Sequence, residues 1–120
     1  MAKAYPNSTF VGFDYHGPSV GRARRSAARE GLLNVSFSVA TAKDFHGSTY
    51  DLVTFFDCLH DMGDPVGAAK HVREKIDNDS IWMIVEPFAH NRLQPLPARR
   101  RDAVQYSLRS AAVTSVRRSW

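Results

Sequence analysis

Short apolar runs that end abruptly in polar residues recur along the first 90 residues of the chain. The clearest run extends from Leu52 to Phe56; it is too short for a helix but suits a strand that is buried on both faces. It is followed at once by Asp57, His60 and Asp61. Ligands of open α/β sheets bind beyond the carboxyl ends of the strands, so we expect this polar cluster to lie where a ligand binds.

Three other segments have the composition of strands. An apolar run ends in a carboxylate at 9–14, apolar and polar residues alternate at 34–40, and a second buried run occupies 81–85. The residues at 77–80 are Asp, Asn, Asp and Ser, which predicts a turn before the last of these strands.

Two helices are predicted between the strands. The first begins at Pro18, where the missing N–H of proline costs nothing, and ends near Gly31, a residue type that commonly ends helices. The second begins with Asp64 as the cap and Pro65 in the first turn. Helical spacing places the buried stripe of the first helix at Val20, Ala23 and Ala27, and that of the second at Val66, Ala69, Val72 and Ile76.

The order strand–helix–strand–loop–strand–helix–strand predicts an α/β fold, a partial doubly wound, mainly parallel Rossmann-like sheet with flanking helices. With 120 residues the chain forms at most one small domain. We assign residues 1–90 to this core and residues 91–120 to a basic, poorly ordered tail, because the tail shows no apolar period.

Positive charge is concentrated in the tail. Residues 91–120 carry seven Arg against one Asp, a net charge of +6, whereas residues 1–90 carry nine Lys and Arg against eleven Asp and Glu, a net charge of −2. A basic tail can bind nucleic acid or a membrane surface, but no recognition motif accompanies it, so we favour a solvated tail. The Arg-rich side of the first helix is interpreted in the same way.

The sequence gives no sign of an oxidising compartment or of a membrane. Cys58 is the single cysteine, which excludes an internal disulfide, and no apolar run is long enough to cross a bilayer. The first residues lack the apolar core of a signal peptide. A cytoplasmic protein without membrane association is therefore expected.

Residues near the strand ends offer chemistry. Asp14 ends a strand, where a carboxylate can accept hydrogen bonds from both hydroxyls of a ribose, although a helix-capping Asp has the same position. His60 is a candidate base, although a hydrogen-bonded loop histidine is the simpler interpretation. Cys58 has acidic neighbours that raise the pKa of a thiol, so we assign it to packing. The histidines and the cysteine show no metal-ligand spacing, and no metal is expected.

Four blocks of sequence resemble successive motifs of class I, S-adenosylmethionine-dependent methyltransferases. They are residues 10–14 (FVGFD), 28–31 (AREG), 50–60 (YDLVTFFDCLH) and 83–87 (MIVEP). Each block is short, but their order and spacing together are fairly specific over residues 1 to about 90. Residues 55–65 (FFDCLHDMGDP) are similar to a bacterial subgroup of that family whose substrates are mostly unassigned.

The resemblance implies that the protein binds S-adenosylmethionine and transfers its methyl group, by in-line displacement, to a small-molecule acceptor that the sequence does not identify. Asp14 would hold the cofactor ribose, and Tyr15 would lie near the adenine. The residues implied to line the adenine are Ala40, Thr41 and Ala42, and those implied to line the methionine part are Phe56, Asp57 and Cys58. Many relatives have Asp at the position of Thr41, so adenine recognition would depend here on backbone groups.

The same family has a central first strand followed by a Gly-x-Gly-x-Gly turn, and this chain has neither. Its sheet is expected to be incomplete at the N-terminus, with a gap whose two neighbouring strands pair directly or leave backbone groups unpaired. We therefore expect a gene fragment, with a frameshift near Asn91 and weak or no activity. Two alternatives remain: an NAD-type Rossmann oxidoreductase fragment that uses Asp14 for the ribose, and a non-enzymatic basic nucleic-acid-binding protein that acts through the tail. The sequence does not indicate the oligomeric state.

Overall fold

Five strands, two helices and one 3₁₀ turn make up the part of the chain that the computed structural model describes, residues 1–47, 49–87 and 112–118. In chain order they are β1 (Ser8–Asp14), α1 (Gly17–Arg29), β2 (Val35–Val39), β3 (Tyr50–Phe56), the 3₁₀ turn (Leu59–Asp61), α2 (Pro65–Glu74), β4 (Ile76–Val85) and β5 (Ala112–Arg118). Every strand and helix that the sequence predicts within residues 1–90 is present, which confirms the α/β fold class. No helix among these residues is long and apolar enough to cross a membrane.

The strands form one sheet in the order β2-β1-β5-β3-β4. β1 pairs with β2 and β3 pairs with β4 in parallel, as the crossovers through α1 and α2 predict. β5 is antiparallel and pairs with both β1 and β3. The expected gap in the sheet is therefore filled, and the expectation that its two neighbours pair directly or remain unpaired is wrong.

β5 comes from the segment that the sequence assigned to the tail. Its backbone supplies hydrogen-bonding partners to two strands whose buried N–H and C=O groups are costly to leave unpaired. That requirement favours a strand here, although residues 112–118 contain no continuous apolar run. The rest of the assigned tail, residues 91–111 and 119–120, lies outside the described residues, so poor order there stays a prediction.

α1 packs on β1 and β2 through the predicted stripe, in which Val20 is fully buried and the two alanines are half-buried. Gly31 has a φ of +64°, a left-handed conformation that glycine adopts without strain, and it follows the end of the helix closely, as predicted. Arg24 fixes the helix to β2, because its Nε and Nη2 both donate to the backbone oxygen of Phe37, at 2.9 and 2.6 Å.

α2 begins at its predicted cap, Asp64, whose side chain accepts a hydrogen bond from the third backbone N–H of the helix at 2.8 Å. The predicted buried stripe is confirmed at Val72, which is fully buried, and Ala69 is half-buried. It is wrong at Val66, which is 64% exposed, and it missed Ala68, which is buried. The cap fixes where the helix begins, and positions 68 and 72, one turn apart, then face the core. Ile76, which was assigned to this stripe, is the first residue of β4.

β4 begins at Ile76, so the turn predicted at 77–80 lies inside the strand. On β3, Tyr50 and Leu52 are two residues apart, whereas their partners on β4, Ile76 and Ile81, are five residues apart. The extra residues form a bulge within β4. The prediction of a turn before this strand is therefore wrong: the strand begins before these residues and accommodates them in the bulge, where the N–H of Asp77 donates to Ser80 Oγ at 3.0 Å.

The core lies between the sheet and α2, and the loop after β2 contributes to it. Phe45 is completely buried, and its ring centroid lies 5.3 Å from that of Phe13 and 4.6 Å from that of His71. His71 Nε2 also lies 2.8 Å from the backbone oxygen of Phe45. Because Phe13 is the last residue but one of β1, this packing holds the loop against the carboxyl end of β1.

Candidate active site

The ends of β1 and β3 place the predicted polar residues at one edge of the sheet. Phe13 of β1 and Phe55 of β3 are both opposite Val113 of β5. They are therefore two strand spacings apart, about 10 Å at about 4.8 Å per spacing. Asp14 and Asp57 follow them at the carboxyl edge, where ligands of open α/β sheets bind.

Asp14 is 8% exposed and shapes the turn out of β1. Its Oδ1 accepts a hydrogen bond from the backbone N–H of His16 at 2.8 Å, and its backbone oxygen accepts one from Ala40 N at 3.2 Å. The N-cap of α1 is His16, so Asp14 lies two residues before the cap and is not the capping residue. Tyr15, the implied neighbour of the adenine, is exposed beside it.

The loop after β2 holds the residues implied to line the adenine: Ala40 and Ala42 are half-buried and Thr41 is exposed. Thr41 donates from its backbone N–H and its hydroxyl to Asp44 Oδ1, at 2.6 and 2.8 Å. The hydroxyl first, and the N–H second, lower the pKa of Asp44. The N–H of Thr41 is therefore engaged, whereas that of Ala42 has no acceptor in the described part of the chain.

Asp57 follows β3 in a strained backbone conformation, with a φ of +50°. Its N–H donates to the backbone oxygen of Val85 at 2.8 Å, which ties the end of β3 to the end of β4. Its Oδ1 is buried and has no hydrogen-bond partner among the described residues. Phe56, before it, is exposed, and Cys58, after it, is buried. Only Phe56 and Asp57 of the three implied methionine-lining residues thus reach the surface.

Glu86 is a member of this cluster that the sequence analysis missed as a site residue. Its Oε1 accepts hydrogen bonds from the backbone N–H groups of Cys58 and Leu59, at 3.1 and 2.8 Å, and its Oε2 is hydrogen-bonded to His60 Nδ1. One side chain at the end of β4 therefore holds the 3₁₀ turn that follows β3. The available signal was its position: it directly follows a buried run predicted to lie parallel to β3.

Three carboxylates surround His60. Its Nδ1 is bonded to Glu86 and lies 4.0 Å from Asp57 Oδ1, and its Nε2 lies 3.5 Å from Asp61 Oδ1. The hydrogen bond to Glu86 raises the pKa of His60; burial opposes this rise and the charges of the carboxylates reinforce it. Burial alone would raise the pKa of Glu86, but hydrogen bonds from His60 and from two backbone N–H groups together lower it. The arrangement thus favours a protonated histidine beside an ionised carboxylate.

Cys58 is excluded as a nucleophile. Burial, followed by the charge of Glu86, raises the pKa of its thiol to about 11. The thiol is therefore protonated at neutral pH, and its side chain belongs to the core.

A metal ion has a geometrically possible set of ligands in this cluster. One ligand atom from each of Asp57, His60 and Glu86 lies within 4.8 Å of the others. The expectation of no metal rested on sequence spacing, which does not register residues that only the fold brings together. Metal binding through His60 Nδ1 would displace the hydrogen bond that this nitrogen makes to Glu86.

A family model described as a methyltransferase domain matches residues 1–115, which extend from β1 into β5. No curated protein matches the chain.

Proposed function

The chain belongs to the methyltransferase domain family, and we propose that it uses S-adenosylmethionine to methylate a small-molecule acceptor at the carboxyl edge of its sheet. One observation carries the proposal. Asp14 and the His60–Glu86 pair lie at the same edge, and β1, which ends at Asp14, is separated only by β5 from β3, which leads into the turn of His60. A carboxylate for a ribose and a base for an acceptor thus lie within the dimensions of one cofactor.

The residues present fit the cofactor in their chemistry. Asp14 is a strand-end carboxylate, and only its Oδ1 is assigned a hydrogen bond in the structure, to a neighbouring backbone N–H, so it can accept from ribose hydroxyls. Thr41 is bonded to Asp44, which leaves the N–H of Ala42 as the backbone donor for the adenine. When bound, S-adenosylmethionine supplies a methyl group activated by a sulfonium. The residues that we assign to the cofactor are Asp14, Tyr15, Ala40, Thr41, Ala42, Phe56 and Asp57. Cys58 is left out because its side chain is buried in the core.

Affinity for this cofactor should be low, because the glycine-rich turn that usually approaches its methionine end does not occur in this sequence. No Gly-x-Gly-x-Gly turn occurs in the sequence, and the strand between β1 and β3 is antiparallel. The carboxyl edge therefore has the start of β5 where relatives place a glycine turn after a parallel strand. Close backbone approach to the methionine end depends on such a turn.

His60 is the residue that we propose as general base. The bond to Glu86 places the proton on Nδ1, which leaves the lone pair of Nε2 to accept a proton from a hydroxyl or amine of the acceptor. The imidazolium that forms is stabilised by Glu86, Asp57 and Asp61. His60 acts in its neutral form, so the rate should rise with pH through the pKa of His60, which lies above the ordinary 6.5.

A single cysteine that is buried and unpaired suits a reducing compartment, and we place the activity in the cytoplasm on that ground. Fractionation of cells that produce the tagged protein tests this placement. Recovery in an extracytoplasmic fraction would contradict it.

Equilibrium dialysis of the purified chain against radiolabelled S-adenosylmethionine, and separately against NAD, tests the proposed function. We expect retention of S-adenosylmethionine and none of NAD, whereas the reverse would support an oxidoreductase. Where an acceptor is found, His60→Gln should abolish the rise of the rate with pH and leave cofactor retention unchanged. An unaltered pH profile would remove His60 from the mechanism.

A further inference from the structure

The outer face of α1 is strongly basic and makes no contribution to the site described above. Four of the eight residues at 22–29 are arginines, namely Arg22, Arg24, Arg25 and Arg29, and no residue of the helix is acidic. The sequence alone favoured a solvated face, because it does not show which arginines form hydrogen bonds within the fold. The structure distinguishes the arginines that form such bonds from those that do not.

Arg24 is used within the fold, since its guanidinium is bonded to the backbone oxygen of Phe37. Arg22 makes a single hydrogen bond, from Nη2 to Ser19 Oγ at 2.9 Å. The side chains of Arg25 and Arg29 make no hydrogen bond or ion pair within the part of the chain that the structure describes. Most of the guanidinium donors on this face are therefore available to an external ligand.

These three arginines share one surface hollow. Arg22, Arg25 and Arg29 line it together with Ser26 and Ala28, and its volume is about 570 Å³. No acidic residue is among the described residues that line the hollow. The nearest acid in sequence, Glu30, forms an ion pair with Lys3 at 3.3 Å. The positive charge of this face is therefore not neutralised by the lining.

The fold brings further arginines toward the same end of the molecule. α1 runs from the carboxyl end of β1 to the amino end of β2, so its last turn, with Arg29, lies at the amino edge of the sheet. The register of β5 places the backbone of Arg117 and Arg118 opposite Thr9 and Ser8, at that same edge. The backbone of two further arginines thus lies at the edge where α1 ends, remote from Asp14 and His60.

We propose that the arginine face of α1 (Arg22, Arg25 and Arg29) binds the phosphate backbone of a nucleic acid. The planar guanidinium group donates in pairs to phosphate oxygens. The stripe spans about 10 Å along the helix axis, which matches about three steps of 3.4 Å along one strand and so a run of about four successive phosphates. Besides the arginines, the described lining of the hollow is Ser26 and Ala28, without an aromatic or large apolar side chain. Helices that bind at membrane surfaces carry such side chains beside their basic residues. The face therefore suits a polyanion in water.

The test is the salt dependence of binding of a fluorescein-labelled 20-base-pair DNA duplex to the full chain, measured by anisotropy between 50 and 300 mM NaCl. Three phosphate contacts correspond to a slope of log affinity against log salt of about −2.7. The double variant Arg25→Gln/Arg29→Gln should flatten the slope by about 1.8 and weaken binding at 100 mM NaCl at least about tenfold. The matched control, Lys43→Gln/Lys70→Gln, removes the same charge elsewhere and should leave the slope unchanged.

Each other outcome overturns the proposal. No binding at 50 mM NaCl excludes a nucleic-acid site on this chain. Binding whose slope is equal in the wild type and the arginine variant places the contacts on the tail and not on α1. Equal loss in the arginine and lysine variants indicates attraction by net charge alone. Co-sedimentation with vesicles rich in phosphatidylserine, without binding of the duplex, would assign the face to a membrane. Circular dichroism checks that the arginine variant folds. We expect it to fold, because the two replaced side chains make no hydrogen bond or ion pair with the described part of the chain.

Discussion

Replacing Glu86 with alanine should destabilise the whole carboxyl edge, because this side chain joins β4 to the turn after β3. The change removes the acceptor of the N–H groups of Cys58 and Leu59 and the partner of His60. Leaving a buried donor without an acceptor costs about 1–3 kcal/mol. The Glu86 side chain is 23% exposed, so water can satisfy part of the loss. We therefore take the lower end of that range for each N–H.

The bond to His60 adds little to this figure, since the histidine side chain is 41% exposed and exposed ion pairs contribute about 0.2–1 kcal/mol. Glu86→Ala should thus lower the free energy of unfolding by about 2–3 kcal/mol. Glu86→Gln retains an oxygen that can accept from the two N–H groups, and it should cost only about 1 kcal/mol. The difference between the two variants isolates the contribution of the backbone hydrogen bonds.

The loss should also depend on pH. The pKa of His60 is raised in the folded protein. Its contribution to the free energy of unfolding is therefore complete below the ordinary value of 6.5 and is lost as the pH rises through the raised pKa. The pKa of Glu86 is lowered, so its contribution is present above the ordinary 4.5 and disappears as the pH falls through the lowered pKa. The effect of Glu86→Ala should therefore be larger at pH 5.5 than at pH 9.

Urea unfolding followed by tryptophan fluorescence at both pH values measures these changes, with Asp79→Ala, an exposed carboxylate on the same strand, as the control. If Glu86→Ala changes the free energy of unfolding by an amount within about 0.5 kcal/mol of the change in the control, the hydrogen bonds assigned to Glu86 are refuted. If Glu86→Ala lowers this free energy equally at both pH values, the backbone hydrogen bonds are supported but the coupling between Glu86 and His60 is not.

Two further changes follow from the same structure. Cys58 should react with a thiol reagent at pH 8 only after urea is added, because it is buried with a pKa of about 11; rapid reaction of the folded protein would contradict this packing. Gly31→Ala should lower the free energy of unfolding by about 1–2 kcal/mol, because alanine is strained at a φ of +64°. The control Gly63→Ala should leave it nearly unchanged, because that position has open space and no positive φ. Equal urea midpoints for these two glycine variants would show that Gly31 does not hold the left-handed conformation.

Features set by short sequence segments were predictable. The buried runs of β1 and β3 were evident from composition, and the start of α2 from Asp64 and Pro65, because capping acts within a few residues. The stripe of α2 was predicted correctly at Val72 but wrongly at Val66, because the cap sets a phase that leaves Val66 in solvent. A single apolar residue in a first turn does not determine the phase of a helix.

Features set by distant partners were not predictable. β5 forms where two strands need hydrogen-bonding partners, and its local sequence carries no sign of that demand. From the polar residues that follow the buried run of β3, Asp57 and His60 were correctly predicted to lie at the carboxyl edge of the sheet, where ligands bind. It did not reveal that Glu86 bonds to the turn after β3, because that contact depends on how β4 and the turn meet in space.

The most direct test of the central claim is calorimetric titration of S-adenosylmethionine into the wild-type chain and into Asp14→Asn, with Asp77→Asn at the opposite end of the sheet as the control. Hydrogen bonds to a charged group are worth about 1.5–3 kcal/mol, and 1.4 kcal/mol corresponds to a factor of ten. We expect weak binding by the wild type, affinity lower by about tenfold or more in Asp14→Asn, and no change in Asp77→Asn. Equal affinity of the wild type and Asp14→Asn, or binding of NAD in place of S-adenosylmethionine, would contradict the claim that Asp14 holds the ribose of this cofactor.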